Sequence, residues 1–215
     1  MSISRSAAAV ALLSGLTLFA APAHAQFSTT SAWITPFVGG YFGGSLQSTN
    51  SNADRINVGS SFTFGARLGY KFNPAIGLVF EYAHATPTVT LQGGDSNGVR
   101  LNDINTNVYE GTFNFYFGNT PELQGYLAIG GGASNINGTN AVGVKGSNTQ
   151  FSTVFGLGVQ KFFNDKVGVT LDGRYRWVNV NGSGSIYCNP WGCWSYNTTW
   201  YGSGEVTLGL TYKFH

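Results

Sequence analysis

Residues 62–72 read Phe62-Thr63-Phe64-Gly65-Ala66-Arg67-Leu68-Gly69-Tyr70-Lys71-Phe72, and this stretch decides the fold class. Its aromatic and aliphatic side chains occupy the even positions, whereas small, polar and charged residues occupy the odd ones. Because successive residues of a β-strand point to opposite faces, the alternation predicts a strand with one apolar face and one polar face. The end of the chain repeats the pattern, with Val206, Leu208, Leu210, Tyr212 and Phe214 set against Glu205, Thr207, Gly209, Thr211 and Lys213.

The composition of the 215-residue chain favours lipid rather than water around the apolar faces. Charged residues make up 9% of the chain, whereas a soluble domain uses about 25%. Aromatic residues make up 15%, and the formal net charge is +2. So few charges exclude a disordered chain and a nucleic-acid-binding domain. A soluble β-sandwich is the alternative, and we disfavour it because so many large aromatic side chains do not fit one small core.

The first 25 residues have the pattern of a cleaved secretory signal peptide. Arg5 supplies a positive charge, residues 7–19 are mostly apolar, and Ala23-His24-Ala25 forms a small-x-small cleavage site. An uncleaved membrane anchor is the alternative, but the apolar stretch is shorter than the ~18 residues that a spanning helix needs. We therefore predict a signal peptide at 1–25 and one mature domain at 26–215, exported to an oxidising compartment.

The mature chain contains eight alternating stretches, which predict an all-β, eight-stranded antiparallel up-and-down transmembrane β-barrel. It has no uninterrupted apolar stretch of ~18 residues, and closed barrels are the other structure that satisfies the backbone inside a bilayer. Long and short connections alternate, which is typical of outer-membrane barrels with both termini in the periplasm. The strands are expected near 33–43, 61–72, 76–90, 104–117, 124–134, 150–163, 167–180 and 198–214.

The signal peptide, the loop alternation and the ending Gly209-Leu210-Thr211-Tyr212-Lys213-Phe214 together resemble the small outer-membrane β-barrel family. This family includes opacity-type surface proteins and the membrane domain of outer-membrane protein A. The resemblance implies a Gram-negative outer-membrane location among lipid and lipopolysaccharide. It also implies that the barrel-assembly machinery recognises Gly209, Tyr212 and Phe214. We expect a monomeric surface component whose long loops contact a host or phage surface, and the alternative is a narrow ion or small-solute channel.

The polar strand faces are expected to carry a charge network into the barrel interior. We expect this interior to be filled rather than open, because eight strands enclose only enough width for side chains. Breaking one partner of a buried ion pair costs about 3–5 kcal/mol, so these positions should matter more than surface charges do. The expected network consists of Arg67, Lys71, Glu81, Glu110, Asp172, Arg174, Arg176, Glu205 and Lys213.

Tight turns fix the expected register of two strand pairs. If Phe72 pairs with Ile76, opposite residue numbers sum to 148, and Arg67 then lies directly across from Glu81. Pairing around the turn after Phe163 places Gly158 across from Asp172 in the same way. A glycine opposite a charged residue leaves room for the ionic side chains.

The last long loop carries the two cysteines, Cys188 and Cys193. Export to an oxidising compartment predicts a disulfide between them, and two free thiols are the alternative. Several tyrosine and tryptophan residues surround the pair. Such an aromatic loop tip either grips a partner or anchors the loop in the headgroup region.

We predict neither enzyme activity nor a cofactor. The sequence has no phosphate-binding loop, no His/Cys cluster with metal-ligand spacing and no dinucleotide fingerprint. His84 and His215 are the histidines of the mature chain. His84 and Thr86 weakly resemble the histidine and hydroxyl pair of outer-membrane lipid-modifying barrels. A histidine at the membrane interface is the interpretation that we favour.

Overall fold

The computed structural model of the chain describes residues 31–47, 55–92, 99–118, 120, 122–139, 145–179, 185–189, 192–195 and 200–214. The predicted signal peptide lies outside these ranges. Within them, no helix is long and apolar enough to cross a membrane. The described strands are β1 Ser31–Phe42, β2 Ser45–Gln47, β3 Arg55–Val58, β4 Ser60–Asn73, β5 Ile76–Ala85, β6 Thr88–Gln92, β7 Val99–Phe117, β8 Leu123–Thr139, β9 Lys145–Phe162, β10 Val167–Asn179, β11 Ser185–Asn189, β12 Gly192–Ser195 and β13 Trp200–Phe214.

Eight long strands of the described part close into a barrel. Each barrel strand pairs antiparallel with the next one along the chain. The first strand, β1, also pairs antiparallel with the last, β13, and this pairing joins the two edges of the sheet. The predicted eight-stranded up-and-down barrel is therefore confirmed. Its strands, in order around the barrel, are β1, β4, β5, β7, β8, β9, β10 and β13.

The barrel has an apolar outer surface and a polar interior. In β4, Phe64 is 48% and Leu68 53% exposed, whereas Arg67 between them is 3% exposed. In β13, Leu210 is 56% exposed, whereas Glu205 is buried. A soluble protein would bury the apolar face instead, so the alternation confirms the inside-out pattern of a membrane barrel.

Short connections, such as those after Asn73 and after Phe162, lie at one end of the described barrel. Asn73 Oδ1 accepts hydrogen bonds from the backbone N–H of Ala75 at 2.8 Å and of Ile76 at 2.9 Å. Asn164 Oδ1 accepts equivalent bonds from Lys166 at 2.9 Å and Val167 at 2.7 Å. Asparagine side chains stabilise tight turns in this way. These turns fix the register of the strands that they join.

The register around the first turn differs from the prediction at one position. Asn73, not Phe72, pairs with Ile76, because the strand is irregular between Lys71 and Asn73. For Lys71 and the residues of β4 before it, the numbers of paired residues sum to 148 as predicted, and Arg67 lies opposite Glu81. The irregularity absorbs one residue of the turn without shifting the rest of the strand.

At the opposite end the strands continue beyond the predicted limits. The long connection expected at 44–60, between the first two barrel strands, contains two short strands: β2 pairs with β3, and β3 pairs with β6. The expected single strand over 76–90 is interrupted between Ala85 and Thr88, where Pro87 has no N–H for the ladder. The pairing of β8 with β9 reaches residues 139 and 145, inside the expected loop at 135–149. The strands β2, β3 and β6 do alternate between polar and apolar residues, but each is only three to five residues long, so the pattern does not stand out in the sequence.

Candidate functional site

Charged side chains from five strands meet in the middle of the barrel. Each of them occupies an inward-facing position of its strand, and each is at most 4% exposed. They lie among neutral polar residues such as Thr63, Ser152 and Thr207, which are also buried. The structure brings together seven of the nine residues of the expected network: Arg67, Glu81, Glu110, Asp172, Arg174, Arg176 and Glu205.

Glu81 contacts all three arginines of this group. Its Oε2 atom accepts a hydrogen bond from Arg67 Nε and lies 3.2 Å from Arg174 Nη1. Its Oε1 atom accepts a hydrogen bond from Arg176 Nη2. One carboxylate of β5 therefore joins β4 on one side to β10 across the lumen.

Arg176 spans the lumen in the same way. Its Nε donates to Glu110 Oε2 at 2.9 Å, and its Nη1 donates to Glu205 Oε2 at 2.9 Å. Its Nη2 donates to Glu81. Ser152 Oγ lies 3.2 Å from the second oxygen of Glu110 and donates to it. The planar guanidinium fork thus contacts carboxylates from three different strands, the geometry for which arginine is suited.

Asp172 completes the network with help from an aromatic residue. It accepts hydrogen bonds from Arg174 Nε at 2.9 Å and from the Tyr126 hydroxyl, and Arg67 Nη2 lies 3.0 Å from it. Gly158 lies opposite Asp172, as the register predicts. The space at Gly158 is filled by the Tyr126 ring, with which a Cβ atom there would collide. The glycine therefore makes room for a tyrosine that binds the carboxylate.

Some polar atoms of the network have no hydrogen-bond partner. Of the described residues, these include Arg67 Nη1, Arg174 Nη2 and Glu205 Oε1. Glu205 Oε1 is 3.6 Å from Arg67 Nη2, a distance that suits a weak ion pair only. Three arginines against four carboxylates give the group a formal charge of −1. The network therefore contains many ion pairs, but some of its polar atoms have no hydrogen-bond partner.

Lys71 and Lys213 point into the barrel but stand apart from the network. They lie towards the end that carries the tight turns. Lys71 Nζ donates to Gln124 Oε1 and lies 3.7 Å from the centre of the Tyr116 ring. Lys213 Nζ lies 4.0 Å from the centre of the Phe162 ring. Among the described residues, no carboxylate forms an ion pair with either lysine.

Buried aromatic residues are the interior feature that the sequence pattern does not predict. Trp33 and Phe37 of β1 point inward, whereas Ile34 and Val38 point outward. The Trp33 ring covers Gly69, where a Cβ atom would collide with it. Glycines on the polar face of a neighbouring strand are thus the signal that marks an inward aromatic residue.

A small cavity lies between the Trp33 ring and Arg67 of the charge network, whereas the Phe37 ring contacts the Arg67 guanidinium directly, 4.2 Å from the ring centre. The lining of this cavity includes Trp33, Arg67, Tyr116 and Tyr126, and its volume is about 10 Å³. One water molecule needs about 10–15 Å³ on this scale. The rings of Trp33 and Tyr116 meet edge to face at 6.1 Å. The lumen of the described barrel is therefore filled on both sides of this cavity.

The residues of the expected assembly signal lie at the end of β13. Tyr212 and Phe214 face outward and are each 43% exposed. Gly209 faces inward, and a Cβ atom there would lie 2.9 Å from the Pro36 carbonyl oxygen. The placement of these three residues is compatible with the expected role, which stays a prediction.

The cysteines belong to the β11–β12 hairpin, and His84 lies on the outer face of β5 beside Phe64. Cys188 and Cys193 are opposite each other in the ladder between β11 and β12, while their side chains fall outside the described atoms. Near the outer rim, His84 Nδ1 is 2.9 Å from Asn107 Oδ1, which also accepts a 3.1 Å hydrogen bond from the Tyr82 hydroxyl. The described residues contain no group of three or more side chains that could hold a metal ion.

Comparison with known proteins identifies a matching family model and solved structures with a similar fold. The family model of the outer membrane protein beta-barrel domain matches residues 11–214. Neisserial surface protein A is 13% identical with a TM-score of 0.58, over 86% of this chain and 99% of that one. The outer membrane protein OprG from Pseudomonas aeruginosa is 14% identical with a TM-score of 0.61, over 87% and 97%.

The outer membrane protein AlkL, whose structure was determined in DMPC bilayers, is 16% identical with a TM-score of 0.56, over 90% of this chain and 95% of that one. At these identities the likeness to solved structures shows the fold alone. A search of curated proteins finds no significant match.

Proposed function

Since this chain belongs to the outer membrane protein β-barrel family, we propose that it is a surface-exposed component of the Gram-negative outer membrane. In this proposal the connections on the cell surface carry the function, and the lumen serves as a structural core. The observation that carries the proposal is the filled middle of the barrel, where Arg176 binds carboxylates from three strands.

The orientation of the barrel rests on its connections. Short turns such as 73–76 and 163–166 lie at one end, together with the start of β1 and the end of β13. Outer-membrane barrels keep short turns in the periplasm and long loops outside the cell. In that orientation the β2–β3–β6 sheet and the β11–β12 hairpin project from the cell surface.

The interior supports a structural role better than a transport role. An ion that crossed the barrel would have to displace the bonds of Arg176 and then the aromatic residues around Trp33. The cavity between them has room for about one water molecule. A narrow channel is the second candidate, because the unpartnered Arg67 Nη1 and Arg174 Nη2 leave alternative pairings available.

The β11–β12 hairpin is the surface element that we assign to partner contact. Its ladder places Tyr187 opposite Trp194, next to the pair Cys188 and Cys193. Tyrosine and tryptophan are enriched in protein contact sites, where their rings provide a large area at a low cost in conformational entropy. A disulfide beside them would fix the shape of this tip. We propose a host or phage surface as the partner, with lipopolysaccharide surrounding the barrel.

Two measurements separate the surface role from the channel. Purified barrel in planar bilayers should give no steady conductance steps; steps that Arg176→Ala alters would favour the channel. Cells that display the protein should bind host-cell monolayers or phage. The double variant Tyr187→Ser, Trp194→Ser should bind at least tenfold less, whereas the periplasmic-turn variant Glu122→Gln should bind like wild type. Equal binding by all three proteins would contradict a contact role for the hairpin.

A further inference from the structure

A second charged region lies in the lumen between the network and the periplasmic turns. We propose that this region binds a small oxyanion through the ammonium groups of Lys71 and Lys213. We call it the two-lysine site and define it by Lys71, Lys213 and Gln124. The proposal does not depend on the surface role of the loops.

The inward-facing charges at this end of the lumen have one sign. The described inward-facing residues on the periplasmic side of the network include both ammonium groups and no carboxylate. Of the described residues at this end, Glu122 and Asp165 carry carboxylates, and both lie on exposed turns. Asp165 attracts the Lys213 ammonium group electrostatically but forms no ion pair with it. Two half-buried positive charges without a buried counter-charge are costly, and a bound anion removes that cost.

The two lysines lie on the strands that flank β1. Lys71 pairs with Ser31, and Lys213 pairs with Trp33. The Tyr116 ring lies 3.7 Å from Lys71 Nζ, and the Phe162 ring lies 4.0 Å from Lys213 Nζ. Ring faces attract and position a cation, but they accept no conventional hydrogen bond from it.

The hydrogen-bond donors of the two ammonium groups are therefore largely unused. Each ammonium has three donors. Gln124 accepts one bond from Lys71, and no described oxygen atom accepts one from Lys213. Phosphate and carboxylate oxygens accept strong charge-assisted bonds from such donors. The two-lysine site thus has both the charge and the free donors that an oxyanion requires.

Arg67 lies at the border of this region, but its charge is already paired with Glu81 and Asp172 of the network. It is 3% exposed, its Nη1 atom has no hydrogen-bond partner, and the side chain lines the cavity beside Tyr116. The cavity has a volume of about 10 Å³, and neither lysine lines it. The ligand would therefore sit outside this cavity, at the two-lysine site, and not beside Arg67.

Inorganic phosphate is the probe that tests the site. The full mature chain, folded in phosphatidylcholine nanodiscs, is titrated with phosphate at constant ionic strength, and the bound fraction is followed by calorimetry. Lys71→Gln and Lys213→Gln should each raise the half-saturating phosphate concentration at least tenfold. Lys166→Gln removes an exposed lysine from a turn at the same end and should leave that concentration unchanged.

Two further comparisons test whether the glutamine variants misfold and whether the natural anion is a lipid headgroup or a free oxyanion. Lys71→Arg and Lys213→Arg keep the charge, so they should bind phosphate if the glutamine variants fail through loss of charge. With phosphatidylglycerol nanodiscs, weaker phosphate binding would support a lipid phosphodiester as the natural ligand, and unchanged binding would support a free oxyanion. If all lysine variants bind like wild type, or if Lys166→Gln loses as much as the others, an adventitious ion only is present and the proposal is overturned.

Discussion

Replacing Glu81 with glutamine should destabilise the barrel more than any other single neutralisation of a network carboxylate. Glu81 is 4% exposed and contacts Arg67, Arg174 and Arg176. Glutamine keeps the size of the side chain but removes its charge. Arg174 would then retain Asp172 as its described carboxylate partner.

The expected magnitude depends on how many ion pairs each substitution removes. Breaking one partner of a buried ion pair costs about 3–5 kcal/mol of unfolding free energy. Glu110→Gln should cost less, about 1.5–3 kcal/mol, because it removes one charged hydrogen bond and Arg176 keeps two carboxylates. Glu122 is exposed, so Glu122→Gln should change the free energy by less than about 1 kcal/mol.

Guanidinium unfolding in phosphatidylcholine vesicles measures these differences, with tryptophan fluorescence and heat-modifiable gel migration as independent probes. We expect the order Glu81→Gln, Glu110→Gln, Glu122→Gln from the largest loss of stability to the smallest. A Glu81→Gln barrel within about 1 kcal/mol of the Glu122→Gln barrel would show that the buried network contributes little. A larger loss for Glu110→Gln would refute the central position of Glu81.

Gly158→Ala should destabilise the barrel by about 1–3 kcal/mol, because its methyl group collides with the Tyr126 ring. The control Gly173→Ala, whose methyl group meets nothing closer than 4.0 Å, should not destabilise it. Equal melting temperatures of the two variants would contradict this prediction. Leu208→Arg, which places a charge on the lipid face near the middle of β13, should cost about 2–4 kcal/mol and lower the folded fraction on gels; an unchanged fraction would argue against lipid contact there. Cys188 and Cys193 should react with maleimide on whole cells only after reduction; labelling without reductant would rule out the disulfide.

The barrel and its lipid-facing surface could be predicted from the sequence because the side-chain period of a strand is two. Over residues 62–72 and 205–214, apolar residues alternate with small, polar or charged ones, so the two faces cannot be confused. The position of Arg67 opposite Glu81 was equally predictable, because a tight turn leaves little freedom in register. Even the irregular pairing at Phe72 did not change it.

The faces of β1 could not be assigned in the same way. Aromatic residues occur on both sides of this barrel, so hydrophobicity alone does not distinguish Trp33 and Phe37, which point inward, from Ile34 and Val38, which point outward. The assignment depends on space that neighbouring strands leave, as Gly69 does for Trp33. That information appears only once the register between strands is known.

The register of adjacent strands predicts only part of the charge network in the interior. The Arg67–Glu81 pair joins adjacent strands and follows from register, but the bond between Glu81 and Arg176 joins β5 to β10, which are not neighbours in the sheet. Its length depends on the radius of the closed barrel. In an open sheet, the three strands β7, β8 and β9 would separate β5 from β10. In the closed barrel, in which β1 pairs with β13, three strands lie between β5 and β10 on each side.

The cross-lumen bonds therefore exist only after the edges have joined. Arg176 links β5, β7 and β13 at once, so each bond that forms brings the remaining carboxylates into reach. In lipid, burial of apolar side chains gives little preference for the closed form over an open sheet, because both faces already contact hydrocarbon. The backbone groups that pair when β1 meets β13 supply that preference, and the buried ions add to it, since their charges are satisfied in the closed barrel and unsatisfied outside it.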